Sequence, residues 1–304
     1  MTVLITGVAG FIGSHIARKF INAGFKVVGV DDLSSGFIRN IPEGVEFIQG
    51  DLSTLKTIEA LPKNCRIILH LAGQSSGQIS FEDPVADLQK NTVSTLNLIN
   101  YGIASGARKI IYASSMAVYG DSANYAVSET DFCAPISCYG LSKLTSEKYL
   151  HIYKNKLPYT SVRMFNVYGP GQNLINLKQG MVSIFVSQAL RNGKIQVKGS
   201  LDRFRDFIYI DDVVDFWFKL ALLEGGQSIT VNLGTGLKVK ISTLLQKIKA
   251  EIPEVEWFSE GSTPGDQLGI YADNKKLRTL FNVDSFTTLD AGLKLFVSWA
   301  REAE

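Results

Sequence analysis

Tyr139 and Lys143 stand four residues apart in Tyr139-Gly140-Leu141-Ser142-Lys143. That spacing sets a phenol and an ammonium on one face of a helix, with Cβ atoms roughly 5–6 Å apart. A phenol, with an ordinary pKa of about 10, is a poor base at neutral pH, but a neighbouring cation favours its phenolate. Such a pair alone is common on amphipathic helices. Here the apolar run Lys109 to Ala113 also ends in Ser114-Ser115, whose hydroxyls can hydrogen-bond a reacting oxygen beside the same sheet edge.

A second constellation opens the chain. The apolar run Val3 to Thr6 leads into Gly7-Val8-Ala9-Gly10-Phe11-Ile12-Gly13 and then into a helical pattern. Glycines so placed allow a tight turn at Gly7, backbone approach to a pyrophosphate at Gly10 and close helix packing at Gly13, with the helix amides, through Phe11 and Ile12, facing the anion. The next run, Lys26 to Val30, ends in Asp31, where a carboxylate accepts from both hydroxyls of an adenine ribose and repels a 2′-phosphate. No arginine follows before Arg39. NAD is therefore the expected cofactor, and its nicotinamide charge would further favour a phenolate at Tyr139. Asp32 reads as a turn residue. Asp51 and Leu52 after the third apolar run, and Leu71, Ala72 and Gly73 after the fourth, complete an expected cradle outside the carboxyl ends of the strands; the alternative for Asp51 is a cap on the helix after Ser53.

These side chains need elements to position them. Short β-branched runs alternate with longer amphipathic segments: Val3 to Thr6, Phe11 to Ala23, Lys26 to Val30, Val45 to Gln49 and Arg66 to Leu71. A helix over Pro84 to Ser105, a strand over Lys109 to Ala113, a helix over Cys138 to Lys154 and a strand over Tyr159 to Met164 continue the series. The near-continuous apolar strands predict an α/β fold, a doubly wound parallel sheet of the Rossmann type. After Gly169-Pro170-Gly171 the rhythm loosens, with helices expected near Met181 to Asn192, Asp211 to Leu223, Ser242 to Glu251 and Leu289 to Ala303. The division expected is an NAD-binding domain over 1–168 and a smaller α/β substrate lobe over 169–304, with the chain crossing back near 205–235.

Composition narrows the classes. The 31 basic and 29 acidic residues form no long basic run, which argues against a nucleic-acid partner. No apolar run approaches the roughly 18 residues of a membrane span, and no secretory signal is visible, so a cytoplasmic protein is expected. Cys65, Cys133 and Cys138 are odd in number and lack a paired spacing, so neither a disulfide framework nor a metal site is expected. His15, His70 and His151 are scattered and read as packing or surface residues.

The chain resembles the extended short-chain dehydrogenase/reductases, in their NAD-dependent epimerase/dehydratase family. The resemblance rests on TGVAGFIGS (Thr6 to Ser14), LHLAG (Leu69 to Gly73), YASSMAVYG (Tyr112 to Gly120), YGLSK (Tyr139 to Lys143), RMFNVYGPGQ (Arg163 to Gln172) and RFRDFIYIDDV (Arg203 to Val213). It implies that Tyr139 is the acid/base, that Lys143 holds the nicotinamide ribose and tunes Tyr139, and that Ser115 assists at the sugar oxygen. Ser115 is preferred to Ser114 because it stands four residues before Tyr119, as the family's Ser/Thr does. Asn91 is implied to contact the cofactor, and Asn166 and Arg205 to bind a nucleotide diphosphate. A guanidinium grips phosphate bidentately, and Arg203 nearby adds charge; pairing of Arg205 with Asp202 or Asp206 is the structural alternative.

Within such a family the two residues after the serine decide the reaction. Family 4,6-dehydratases carry acidic residues there, whereas this chain has Met116 and Ala117, which exchange no protons. Inversion at C4 of a nucleotide-diphosphate sugar, UDP-glucose/UDP-galactose or their N-acetyl forms, is therefore the expected reaction. A 4-keto reductase, a 4,6-dehydratase and a non-catalytic NAD-binding regulator are the alternatives. The family's diphosphate arginine is missing from Ser262-Thr263-Pro264-Gly265-Asp266, and Ile270 occupies a position that gates space near the sugar C2, leaving N-acetyl sugars open. The resemblance also implies a homodimer packed through the helices expected at Pro84 to Ser105 and Cys138 to Lys154.

Overall fold

A computed structural model describes all residues except 122–124, 179, 225–227, 262–267 and 304. Its principal sheet has seven strands: β1 (Thr2–Thr6), β2 (Lys26–Asp31), β3 (Glu46–Gln49), β4 (Ile67–His70), β5 (Lys109–Ser115), β6 (Tyr159–Met164) and β7 (Ile229–Leu233). They lie in the order β3-β2-β1-β4-β5-β6-β7, which reverses direction at β1 and β4, as in doubly wound nucleotide-binding sheets. Val3, Leu4 and Ile5 of β1, Val28 of β2 and Ile68 and Leu69 of β4 have no solvent exposure, because helices cover both faces of such a sheet.

Register brings the chemistry to one edge. Thr6 pairs with Val30 on one side and His70 on the other, Asp31 with Gln49, and His70 with Tyr112. Parallel strands in that register deliver the loops beginning at Gly7, Asp32, Gly50 and Leu71 to the same end. Ser114 and Ser115 lie inside β5 as its last two residues, where the sequence suggested a strand ending at Ala113.

Helix α1 (Phe11–Asn22) buries Ile16, Ala17 and Phe20 at helical spacing, and Phe20 meets Phe25 and Phe218 edge-on at 5.3 and 5.0 Å. The single helix expected over Pro84 to Ser105 is an interrupted run: α2 (Pro84–Leu88), a π-turn at Gln89–Val93, then α3 (Ser94–Ala104). Asp83 caps it, accepting from the Ala86 amide at 2.9 Å, with Pro84 in the first turn. Helix α4 (Cys138–Ile152) starts where Ser137 Oγ accepts from the Gly140 amide at 3.1 Å.

The chain divides into two compact units. One comprises Met1–Val118, Ser137–Arg163 and Val214–Val231; the other comprises Tyr119–Ile136, Met164–Val213 and Asn232–Glu304. Residues 119–136 thus fall outside the unit that holds the rest of the first 163 residues. In the second unit Asn166–Tyr168 pairs in parallel with Phe207–Tyr209, and Phe204–Arg205 pairs antiparallel with Val239–Lys240. Its helices include Met181–Asn192, Ile241–Glu251 and Leu289–Ala303. Among the described residues no helix is long and apolar enough to cross a membrane, and Cys65, Cys133 and Cys138 are free thiols.

Candidate active site

The glycine turn is dictated by contact. Gly7 has φ +70°, and a Cβ there would sit 2.8 Å from the Ala72 amide nitrogen; a Cβ at Gly13 would lie 2.0 Å from the Gly7 carbonyl oxygen. No side chain larger than hydrogen fits either place. Gly10 is the cap residue of α1, without a side-chain cap and without an acidic residue in the first turn, so the amides of Phe11 and Ile12 start the helix beside an open backbone. That is a helix N-terminus prepared for an anion.

At the end of β2, Asp31 accepts from the Ala9 amide at 3.0 Å through Oδ2 and from the Leu33 amide at 2.8 Å through Oδ1. Burial raises its pKa above the usual carboxylate range, against the lowering effect of these two amides. Each oxygen retains a lone pair for a ribose hydroxyl. Asp32 makes the expected turn, accepting from the Ser34 amide and hydroxyl, and also bonds Lys90. Asp51 does not cap the following helix, whose N-cap is Thr54 without a side-chain cap; its Oδ1 accepts from the Ser53 amide at 2.9 Å in a turn, and its Oδ2 lies 2.7 Å from Lys90 Nζ. Leu52 is buried in the core beside it.

Within the π-turn the Asn91 carbonyl accepts the hydroxyls of Thr95 at 2.6 Å and Ser146 at 3.1 Å. Thr95, its proton committed, accepts from His70 Nε2 at 3.0 Å; Nδ1 of the same ring then accepts from Thr6 at 2.8 Å. Thr6 in turn accepts the Leu71 and Ala72 amides, each at 3.1 Å. Burial drives His70 down to about 3, so the ring is neutral, and this is the packing role its position suggested.

Lys143 is buried and donates to the Ala113 carbonyl at 2.9 Å, with Nζ 5.0 Å from the Tyr112 ring centre and 5.8 Å from that of Tyr139. Burial pulls it down to about 8, against a raising effect of Asp87. Tyr139 keeps some exposure as a residue, yet burial of its hydroxyl pushes it up to about 12, against the lowering hydrogen bond of Ser115. Burial of the hydroxyl thus opposes the phenolate that the neighbouring ammonium favours. The Ser115 hydroxyl accepts from the Ala117 amide at 3.2 Å, which leaves its proton for the phenol side. Ser114 is used differently, donating to Glu147 at 2.5 Å, and Glu147 is held by a bidentate Arg163 at 3.0 and 2.7 Å.

In the second unit Arg205 is buried and donates to the Phe204 carbonyl at 2.8 Å. Burial lowers it to about 10, Arg203 adds to the lowering and Asp121 opposes it. Of the acidic neighbours weighed against it, Asp202 pairs with Lys240 at 2.9 Å, and Asp206 accepts from Thr235, Gly236 and Ala272. Asn166 donates its main-chain and side-chain N–H groups to one acceptor, the Asp206 carbonyl, at 3.1 and 3.0 Å. Ile270 is fully buried, beside the contact of Gly269 with Phe204. The segment Ser262 to Asp266 lies outside the described residues.

Several residues escaped the reading of the sequence. Asp87 stands one helical turn before Asn91, a spacing that could have signalled it; Lys90 and Glu147 became visible only through partners distant in the chain. For NAD the fit is direct: a cradle that glycine Cβ atoms would fill, a preformed acceptor at Asp31, and a buried Asn91 Oδ1 without a hydrogen-bond partner among the described residues.

Comparison with known proteins gives the family. Residues 3–234 match the NAD dependent epimerase/dehydratase family. A UDP-glucose 4-epimerase of Mycolicibacterium smegmatis is 31% identical over 312 residues, covering 99% of each chain. The crystal structure of a UDP-glucose 4-epimerase with UDP-glucose from Thermotoga maritima superposes with a TM-score of 0.94 at 32% identity, over 100% of this chain and 99% of that one. A UDP-glucose 4-epimerase of Thermus thermophilus in complex with NAD gives 0.91 at 30% identity over the whole of both chains.

Proposed function

Because this chain belongs to the NAD-dependent epimerase/dehydratase family, we propose that it inverts C4 of a nucleotide-diphosphate sugar, UDP-glucose/UDP-galactose or their N-acetyl forms, through a 4-keto sugar. It is an enzyme of that family, and its cofactor is NAD. The observation that carries the reading is a complete Ser115, Tyr139, Lys143 set followed by Met116 and Ala117. The hydroxyl, phenol and ammonium serve proton transfer at a sugar oxygen, while the two residues after Ser115 hold no group that could remove water from the sugar.

NAD, when bound, supplies the hydride acceptor and donor at C4. It would be held by the Gly7 to Gly13 turn, Asp31, the strand-end segments at Asp51–Leu52 and Leu71–Gly73, and Asn91. Tyr139 removes the proton of the C4 hydroxyl and returns it. Ser115 donates to the sugar oxygen while its own oxygen is fixed by the Ala117 amide. Lys143, poised at about 8 by burial, favours the phenolate as an ammonium. Arg205 and Asn166 are assigned to the diphosphate: a buried guanidinium lowered by burial and by Arg203 beside it favours an anion, and a bidentate phosphate contact is the strongest kind available to it. The second unit is accordingly assigned to the nucleotide sugar.

We also assign the exposed apolar residues Val85 and Leu88 of α2 and Leu141 of α4 to a homodimer interface. Light scattering at micromolar concentration reads it, and a monomer overturns it.

The reaction is tested by incubating the protein with a panel of nucleotide sugars, following sugar identity by NMR and cofactor absorbance together. Epimer formed without net NADH supports the reading. Loss of water makes the enzyme a dehydratase, and stoichiometric oxidation of NADH makes it a keto-sugar reductase.

A further inference from the structure

Asn91 carries a buried amide oxygen that no group among the described residues satisfies. The two ends of an amide are alike in shape and opposite in polarity, so a neighbour must decide which way it points. Here Nδ2 donates to Oδ1 of Asp87 at 3.0 Å. A carboxylate accepts and cannot donate, so a reversed amide would face oxygen with oxygen. Asp87 is itself fully buried and fixed from two other elements: Ser142, between Tyr139 and Lys143 on α4, donates to Oδ2 at 2.7 Å, and Gln74, from the segment after β4, donates to Oδ1 at 2.9 Å.

The oxygen so fixed lies over Gly73. A Cβ at Gly73, whose φ is +155°, would come within 2.4 Å of Asn91 Oδ1 and 3.3 Å of Lys143 Nζ. An acceptor and a cationic donor therefore flank one glycine face, an arrangement suited to a ligand with adjacent hydroxyls.

We propose that Asp87 is a positioning residue of the cofactor site, whose carboxylate locks Asn91 with its acceptor oxygen toward Gly73 so that it receives a proton donor of NAD beside Lys143. The proposal deepens the functional reading above and rests on it only where turnover is concerned, because cofactor binding can be measured without any sugar.

The experiment measures NAD and NADH affinity by calorimetry for the wild type, Asp87→Asn, Asn91→Ala and the double variant. Asparagine keeps the shape of Asp87 and removes its exclusive acceptor character. Loss of about one well-made hydrogen bond predicts a roughly tenfold weakening in each single variant. Because Asp87 acts through Asn91, the double variant should be no weaker than Asn91→Ala alone.

A second readout tracks the charge. The ionisable groups around Lys143 are Asp87, Tyr139, Tyr112 and His70, and Asp87 is the one that favours the ammonium. The alkaline midpoint of NADH binding should therefore move to lower pH in Asp87→Asn. A purely structural role would leave it in place.

If Asp87→Asn does not fold, Ser142→Ala loosens the same carboxylate from outside and should weaken NAD by a smaller factor that also disappears in the Asn91→Ala background. Unchanged affinity in a folded Asp87→Asn overturns the proposal, as does a double variant weakened by the product of the single effects. A wild type that binds NAD with this coupling but epimerises no sugar would sink the substrate reading and leave Asp87 where it is placed.

Discussion

Lys90 Nζ stands 2.7 Å from the Asp51 carboxylate and bonds Asp32 with the same ammonium, so one side chain ties the π-turn to the ends of β2 and β3. Burial alone would lower Lys90 and raise both carboxyls; the mutual bonds more than offset it, leaving Lys90 raised and both acids lowered. Removing the cation takes from Asp31, Asp32 and Asp51 the charge that lowers all three at the expected adenosine end of the site.

Lys90→Met should therefore weaken NAD by roughly 3- to 10-fold, a loss of about 1 kcal/mol for a pair that remains partly solvated. Asp32→Asn/Asp51→Asn in the same background should recover most of it. Titration calorimetry at low and high salt checks this, and unchanged affinity in Lys90→Met counts against it.

The two serines at the end of β5 should part company on substitution. Ser115→Ala removes the hydroxyl on Tyr139 and should cut the rate at least about tenfold with little change in unfolding temperature. Ser114→Ala takes a donor from buried Glu147 and should cost about 1–3 kcal/mol of stability, with most of the activity retained. Initial rates and thermal melts on the two variants give the comparison.

Lys143 should prove costly to the fold. Its ammonium is driven from 10.5 to about 8 chiefly by burial, so below that pH the folded state carries a penalty of roughly 3 kcal/mol. Between about pH 8 and 10.5 the folded protein has lost the proton that the unfolded chain still holds, so this group makes stability rise with pH. Lys143→Met escapes the penalty and loses the bond to Ala113, worth about 1 kcal/mol. It should melt a few degrees higher than the wild type at pH 7, lose that advantage by pH 10, and be inactive. A lower melting temperature at pH 7 would refute it.

The features legible in the sequence are those made by local interactions. The Gly7 to Gly13 turn and the Tyr139/Lys143 pair are set by spacing along one element, and the alternation of apolar runs specifies strands that must be covered on both faces. The side-chain contacts of the π-turn were illegible because one partner is distant: Ser146 of α4 supplies one of the two hydroxyls that the Asn91 carbonyl accepts. The high pKa of Tyr139 was missed for a related reason, since helical spacing reports a nearby cation and says nothing of dehydration around the hydroxyl. Arg205 was found by its motif, while the donors that hold the Asp206 carboxylate, Thr235, Gly236 and Ala272, are all remote in the chain.

Asp206 offers the sharpest opposition of effects. Its carboxylate has no exposure, and burial raises its pKa above the usual range, against the lowering bonds from Thr235, Gly236 and Ala272. A carboxyl raised in the folded state contributes stability that is full below the unfolded value and is lost as pH rises through the folded one, so at neutral pH the charge is a burden. Asp206→Asn would lift that burden, yet the new amide would point a donor at amides that now donate to Oδ2, from Gly236 at 2.9 Å and Ala272 at 3.2 Å. Two orphaned buried N–H groups cost about 1–3 kcal/mol each, and that outweighs relief of a charge already solvated by four donors. The variant should therefore be destabilised by about 2–4 kcal/mol at pH 7. The Asp206 carbonyl also receives both N–H groups of Asn166, so loosening this residue should raise KM for the nucleotide sugar more than it lowers kcat. Denaturant melts at pH 7 with steady-state kinetics on the accepted sugar decide it, and a variant as stable as the wild type would show that the buried charge, rather than its donors, controls this position.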